Sequence, residues 1–136
     1  MISQGLAREL KEAGLVWEPK QGDCAYDHYF DRICRYLVVY NGDYRVILPN
    51  DDIVDFPRDM FTFTPSLSHL LAEIEGRGYL VDLKSNISIG WPNKWKCDII
   101  SQGKCMEFFE QRIWADTPEE AAGLALLWVL RGERDG

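Results

Sequence analysis

The chain has 136 residues, a length typical of one globular domain built around one hydrophobic core. Hydrophobic residues make up 46% and charged residues 27%, which argues against an intrinsically disordered chain. The formal net charge is −7 and no basic run interrupts this acidic balance, so binding to nucleic acid and adhesion to anionic membranes are both disfavoured.

Hydropathy and cysteine use predict a cytoplasmic protein that does not cross a membrane. The chain starts directly on an amphipathic helical pattern, with no visible secretory signal. The longest uncharged apolar run, residues 121–130, would span only about 15 Å as a helix, roughly half of a bilayer core. The four Cys are scattered through strand-like segments, which is typical of reduced, buried thiols.

The first predicted helix places Ile2, Leu6 and Leu10 on one face. Ser3 is the expected N-cap residue, and Gly14 is expected to end the helix. The segment 18–23 is polar and contains Pro and Gly, so it is predicted to be a linker without regular structure.

Two aromatic-rich segments, 24–30 and 33–40, are predicted strands, and the second has the highest β-branched and aromatic content in the chain. Asn41-Gly42 is a strong hairpin signal that leads into a strand at 44–48. The sequence leaves open whether Asp43 belongs to the turn or to that strand. The segment 49–60 is predicted to be a loop.

A second helix is predicted to open at Thr64-Pro65 and to end at Gly76 or Gly78. Its apolar stripe consists of Leu67, Leu70, Leu71 and Ile74. Strands are then predicted at 79–83, 87–91, 95–101 and 104–114, with a tight turn at Gln102-Gly103 between the last two.

The last helix carries three start signals. Thr117 can N-cap, Pro118 suits the first helical position, and Glu120 completes a capping box. The ten residues that follow carry no charge, so more than one face of this helix is expected to be covered.

Together these elements predict an α+β fold in which helices pack on an antiparallel sheet. From residue 64 onward the predicted order is α-β-β-β-β-α. Residues 1–136 are interpreted as a single domain, with sub-lobes at 1–60 and 61–136.

Short motifs give the second half of the chain a resemblance to known proteins. They are the Thr64-Pro65-Ser66-Leu67 helix opening, the Gly78-Tyr79 strand entry and the segment 115–121, Ala-Asp-Thr-Pro-Glu-Glu-Ala. With them, residues 64–130 resemble the ABA-sandwich domain of uncharacterised bacteriophage and prophage proteins. That resemblance implies a fold and a genomic setting, and it carries no catalytic residue.

Two further families share part of this pattern. The order of elements and the Ala-rich last helix are similar in shape to double-stranded RNA-binding domains, but Asp116, Glu119 and Glu120 stand where those domains place a basic cluster against phosphates. The segment 116–121 after a hairpin is also similar to antitoxins of Hic-type toxin–antitoxin pairs. A nucleic-acid role would need a rebuilt basic patch, assembled from Arg77, Lys84, Lys94, Lys96 and Lys104.

Candidate chemistry is sparse. Cys24, His28 and Cys34 are the candidate metal ligands. Cys24 and His28 would lie about 13 Å apart on a regular strand, too far for one zinc ion to bind both, so only an irregular loop would allow a metal site. Cys97 and Cys105 are predicted to point to opposite faces of the sheet, since a turn at Gln102-Gly103 would pair Cys97 with Phe108. His69 is expected on the solvent side of its helix.

No enzyme motif is present, so no catalytic, cofactor-binding or metal-binding residue is assigned, and no cofactor is expected. An acidic loop with Asp51, Asp52, Asp55 and Asp59 matches no EF-hand spacing and is expected to be solvated.

A partner surface is the remaining functional candidate. Trp91 and Trp95 bracket a turn and are either an exposed anchor for a protein partner or lids on the sheet edge. Tyr36 and Tyr40 belong to a strand that is apolar on both faces, and is therefore either central or part of a subunit interface. We therefore predict a non-enzymatic phage or prophage accessory protein that contacts a protein partner or a second copy of itself. The alternative is a nucleic-acid-associated module.

Overall fold

The structure of the protein is a computed structural model that describes residues 2–27, 32–34, 36–40, 43–47, 51–55, 61–85, 95–101 and 110–135. For residues 27, 32–34, 36–40, 134 and 135 the description covers the backbone alone. Within these ranges the elements are α1 (Gln4–Glu12), β1 (Cys24–Asp27), β2 (Arg32–Cys34), β3 (Tyr36–Tyr40), β4 (Asp43–Ile47), β5 (Ile53–Asp55), β6 (Phe61–Thr64), α2 (Leu67–Gly76), β7 (Tyr79–Ser85), β8 (Trp95–Ser101), β9 (Gln111–Ala115) and α3 (Pro118–Asp135).

The strands form three antiparallel sheets of three strands each, with the orders β2-β1-β6, β3-β4-β5 and β7-β8-β9. The predicted α+β class, with antiparallel pairing and packed helices, is confirmed. The sequence leaves open whether the strands of the first half extend the predicted sheet or cover it, because strand propensity does not specify which strands pair; the described strands form three separate sheets. Between α2 and α3 the described residues contain three strands, and the predicted strand at 87–91 lies outside them. A double-stranded RNA-binding shape and the two sub-lobes stay predictions.

The main hydrophobic core surrounds α3. The helix contributes seven buried apolar side chains, Ala121, Ala122, Ala125, Leu126, Leu127, Val129 and Leu130. They pack with the apolar faces of α1 and α2 and with one face of the β7-β8-β9 sheet. The expectation that α3 is covered on more than one face is therefore confirmed.

A smaller cluster joins the other two sheets. It contains Ala25 from β1, Val46 from β4 and Phe61 from β6, with Tyr44 packed beside it. Trp17 packs against both clusters and so links the main core with the sheets formed by the first half of the chain.

The helix starts agree with the sequence in two cases and differ in one. Ser3 caps α1 by accepting a hydrogen bond from the Leu6 amide at 3.2 Å, and Thr117 caps α3 by accepting from the Glu120 amide at 3.1 Å. The predicted start of α2 at Thr64 is wrong, since Ser66 is the N-cap residue and accepts from the His69 amide. Thr64 ends β6 instead.

The capping box at the start of α3 closes by only one of its two hydrogen bonds. The Glu120 carboxylate accepts from the Ser3 amide at 2.6 Å rather than reaching back to Thr117. This bond joins the N-terminus of α3 to the N-terminus of α1, over a sequence separation that no local motif encodes.

Two segments of the first half differ from their predictions. The segment 33–40 is divided between β2 and β3, which belong to different sheets. The predicted loop at 49–60 contains β5, which pairs with β4. The Asn41-Gly42 hairpin is confirmed by the direct pairing of Tyr40 with Asp43, which assigns Asp43 to the strand.

The register of the last sheet also differs from the prediction. Cys97 lies opposite Ile113, and not Phe108. The predicted turn at Gln102-Gly103, together with Cys105 and Phe108, lies outside the described residues. Strand propensity alone does not determine which residues of two neighbouring strands lie opposite each other.

Candidate functional site

The predicted partner surface is described only in part. Trp91 lies outside the described residues, and Tyr36 and Tyr40 are placed in β3 by their backbones alone. The Trp95 side chain is half-buried and packs against the main core. Whether these four residues share one surface stays a prediction.

The cations that would form a basic patch are paired with carboxylates wherever their side chains are described. Arg77 contacts Glu73 and lies 3.4 Å from Glu133. Lys84 lies 3.3 Å from Asp82, and Lys96 lies 3.5 Å from Asp98. Lys94 and Lys104 lie outside the described residues. These ion pairs cancel the charge that phosphate binding requires.

A charged row crosses the face of the β7-β8-β9 sheet that is turned away from α3. Asp98 lies directly between Asp82 and Arg112 in the register, and its residue exposure is 3%. Arg112 donates to both oxygens of Asp98 at 2.8 and 3.2 Å. The hydrogen bond to Asp98 raises the pKa of Arg112 above its ordinary value. The buried carboxylate is thus paired with a cation within the sheet.

The described thiols are poorly suited to nucleophilic catalysis. Burial, with the negative charges of Asp98 and Asp82, raises the pKa of Cys97 to about 12. Burial and the charge of Asp23 raise the pKa of Cys24. Because the thiolate is the reactive form, both residues react slowly near neutral pH.

No group of three potential metal ligands occurs among the residues that the structure describes. His28, Asp59, Cys105 and the side chain of Cys34 lie outside that set. In the acidic loop Asp51 and Asp52 are exposed, and Asp55 lies 3.8 Å from Arg45. In the described part of the chain, no helix combines the length and the apolar character needed to cross a bilayer.

Among the described strands, β5 is a sheet edge, and its apolar side chains are exposed. Ile53 is 60% exposed and Val54 is 37% exposed, and β5 stands at the end of its sheet. Val54 lies opposite the buried Val46, while Ile53 and Asp55 point to the other face. An edge strand offers unpaired backbone donors and acceptors, and here it adds apolar contact area on both faces.

A groove of about 450 Å³ lies where the first turns of α2 and α3 meet the β1–β6 pair. We call it the α2 groove. Its polar and titratable lining residues include Asp23, Cys24, Thr64, Ser66, His69 and Glu119. The sequence predicts Thr64 at a helix start and does not reveal this site. The Phe-Thr-Phe-Thr alternation at 61–64 is a strand signal that could have located it.

Local interactions hold the groove in shape. The Trp17 ring stacks on the Phe63 ring, with 4.9 Å between the ring centroids. The Phe63 and His69 rings pack edge to face, with their centroids 5.0 Å apart. Asp23 Oδ2 accepts from Trp17 Nε1 and from the Lys20 amide, each at 2.9 Å. His69 is therefore half-buried against Phe63, and the prediction that it lies on the solvent side of its helix is wrong.

Two buried polar atoms of the lining have no hydrogen-bond partner among the residues that the structure describes. One is Thr64 Oγ1, in a residue that is 4% exposed, and the other is His69 Nε2. The nearest carboxylate to His69 is Glu73, whose Oε1 lies 3.5 Å from Nε2. A buried polar group without a partner destabilises the fold, so such groups mark positions where a bound molecule can compensate.

Comparison with protein-family models, with curated proteins and with solved structures finds no match for this chain.

Proposed function

We propose that this chain works through protein–protein contact, as a non-enzymatic accessory protein of phage or prophage type. The contact is proposed to form at β5, where an extended segment of a partner protein adds a strand to the β3-β4-β5 sheet. The phage setting and the cytoplasmic location rest on the sequence alone and stay predictions.

The observation that carries this proposal is the exposure of every residue of β5 at a sheet edge. Strand addition uses the backbone of such an edge for affinity, and alternate side chains for specificity. Ile53 offers an apolar contact on one face, and Val54 continues the buried Val46 on the other.

Charge indicates what kind of segment fits. Residues 51–55 contain Asp51, Asp52 and Asp55 and no basic residue, and the side chain of Asp55 is 94% exposed. A second copy pairing through β5 would bring three more carboxylates to the same place, and like charges across a strand pair are unfavourable. A partner strand in which apolar and basic residues alternate complements both features.

A model peptide tests this proposal. A hexapeptide of alternating Lys and Val, titrated into the labelled protein, is expected to shift the backbone amide signals of Ile53, Val54 and Asp55, whereas a Glu–Val counterpart leaves them unchanged. The variant Ile53→Lys places a charge on the edge and is expected to weaken binding by about tenfold or more.

The matched control is Val16→Lys, because Val16 is 73% exposed and lies outside β5. This variant is expected to bind the Lys–Val peptide as the wild type does. Equal binding by Ile53→Lys would refute the β5 site. A dimer in light scattering that Ile53→Lys abolishes would replace the basic partner with a second copy of the chain.

A further inference from the structure

We propose that the α2 groove binds a small organic amine, a molecule with a protonated ammonium group on a compact apolar body. This site is separate from β5 and has no part in strand addition. The ammonium group is placed next to Asp23 and Glu119, with the apolar body against Phe63, Pro65 and Leu67.

The volume of the groove suits a small molecule. About 450 Å³ lies within the range of ligand pockets in proteins, roughly 300–1,000 Å³. Its lining combines the apolar side chains of Phe63, Pro65 and Leu67 with polar and titratable side chains, so it can contact both parts of such a molecule. Phe63, one of the lining residues, is stacked on the Trp17 ring.

The charge of the lining favours a cation. The described residues that line the groove include the carboxylates Asp23 and Glu119 and no Lys or Arg. The N-termini of α2 and α3 oppose this preference, but each helix terminus is equivalent to only about half an elementary charge. The two carboxylates therefore outweigh them. A metal ion is a poor candidate, since the described residues hold no cluster of three metal ligands.

The unpartnered Thr64 hydroxyl is the independent sign of a ligand. Thr64 is paired with Cys24 across the strands, and both residues line the groove. Its Oγ1 is buried and receives no hydrogen bond from the described part of the chain. An ammonium group is a donor with three hydrogens, so it can satisfy this oxygen as well as a neighbouring carboxylate.

Three related probes of similar shape test the charge preference. Benzylamine is expected to shift the Trp17 indole N–H signal, because that group donates to Asp23. Benzyl alcohol, which lacks the charge, is expected to bind about tenfold more weakly, and benzoate not measurably. Benzoate binding as tightly as benzylamine would overturn the proposal.

Side-chain variants test the position of the amine. Asp23→Asn keeps an acceptor for Trp17 and for the Lys20 amide while removing the charge, and Glu119→Gln removes the other charge. Each is expected to weaken benzylamine binding about fivefold. The control is Glu75→Gln, an exposed acid of α2 outside the groove, which is expected to leave binding unchanged. Equal weakening by this control would mean that the net negative charge attracts the amine without a site.

The variant Thr64→Val tests the contribution of the hydroxyl alone. Valine has nearly the same volume as threonine, so the shape of the groove is kept. Removing a buried hydroxyl that lacks a partner is expected to raise the melting temperature of the ligand-free protein, while benzylamine binding falls about fivefold. Unchanged affinity in a folded Thr64→Val variant would remove Thr64 from the site and refute this placement. Because the signals are those of Trp17 and not of β5, failure here leaves the strand-addition proposal intact.

Discussion

Replacing Gly123 by Val is expected to lower the free energy of unfolding by about 2–3 kcal/mol. Gly123 lies inside α3 where α1 crosses it, and a Cβ at this position would stand 2.7 Å from Leu6 Cδ2 and 3.3 Å from Ile2 Cγ2. Leu6 is 4% exposed and Ile2 is 1% exposed, so neither side chain can move away into solvent. Urea unfolding measures this loss of stability. We expect a lower urea midpoint and an unchanged m-value, the slope of the unfolding free energy against urea concentration.

Gly132 provides a matched control in the same helix. It is exposed, and a Cβ there meets nothing within 4 Å. Gly132→Val is therefore expected to be neutral or slightly stabilising, since Val is a better helix former than Gly. Adding Leu6→Ala to Gly123→Val should recover part of the loss, because the two substitutions act on one contact. Equal stability of the two Gly variants would contradict close packing of α1 on α3.

The second large effect is a dependence on alkaline pH that originates at Cys97. The folded-state pKa of this thiol is raised from 9.0 to about 12, mainly by burial. A thiol with a raised pKa contributes its full stabilisation below the unfolded-state pKa and loses it as the pH rises toward the folded-state pKa. Between pH 9.0 and about 12, the free energy of unfolding of the wild type should therefore fall by about 1.4 kcal/mol per pH unit more steeply than that of Cys97→Ala.

The comparison of slopes isolates this thiol from other groups that titrate in the same range. Cys97→Ala also leaves a small cavity, which lowers the curve at every pH without changing its slope. Cys24→Ala serves as the control, because Cys24 is half-buried and its removal should change the slope less. Parallel curves for wild type and Cys97→Ala would show that the thiol does not stay protonated in the fold.

Local signals predicted those elements whose ends are defined by neighbouring residues. Ser3 and Gly14 bound α1 as expected, and Gly14 has the positive φ of 109° that only Gly adopts readily. Thr117 caps α3 because its side chain accepts a hydrogen bond from a backbone amide three residues later. Asn41-Gly42 favours the tight turn that lets Tyr40 pair with Asp43. Both signals act within a few residues of the chain.

The candidate sites were less accessible from the sequence. The α2 groove combines residues from positions 21–24, 63–69 and 119, and nothing local relates these segments. Thr64-Pro65 was interpreted as a helix start because Thr and Pro favour that position, yet pairing with β1 holds Thr64 in a strand. The exposure of β5 was hidden for a similar reason, since three residues between acidic and Pro-containing stretches give a weak strand signal.

By itself, the sequence determined the α+β class, both ends of α1, the start of α3, and the need to bury α3 on several sides, because caps and hydrophobic periodicity act over a few residues. Only the tertiary structure decided that the segment 33–40 divides between two sheets, that Cys97 opposes Ile113, and that Glu120 binds the start of α1. These features depend on contacts between distant segments. Their free energies are settled by packing and pairing over the whole fold, and propensity at any one position does not contain them.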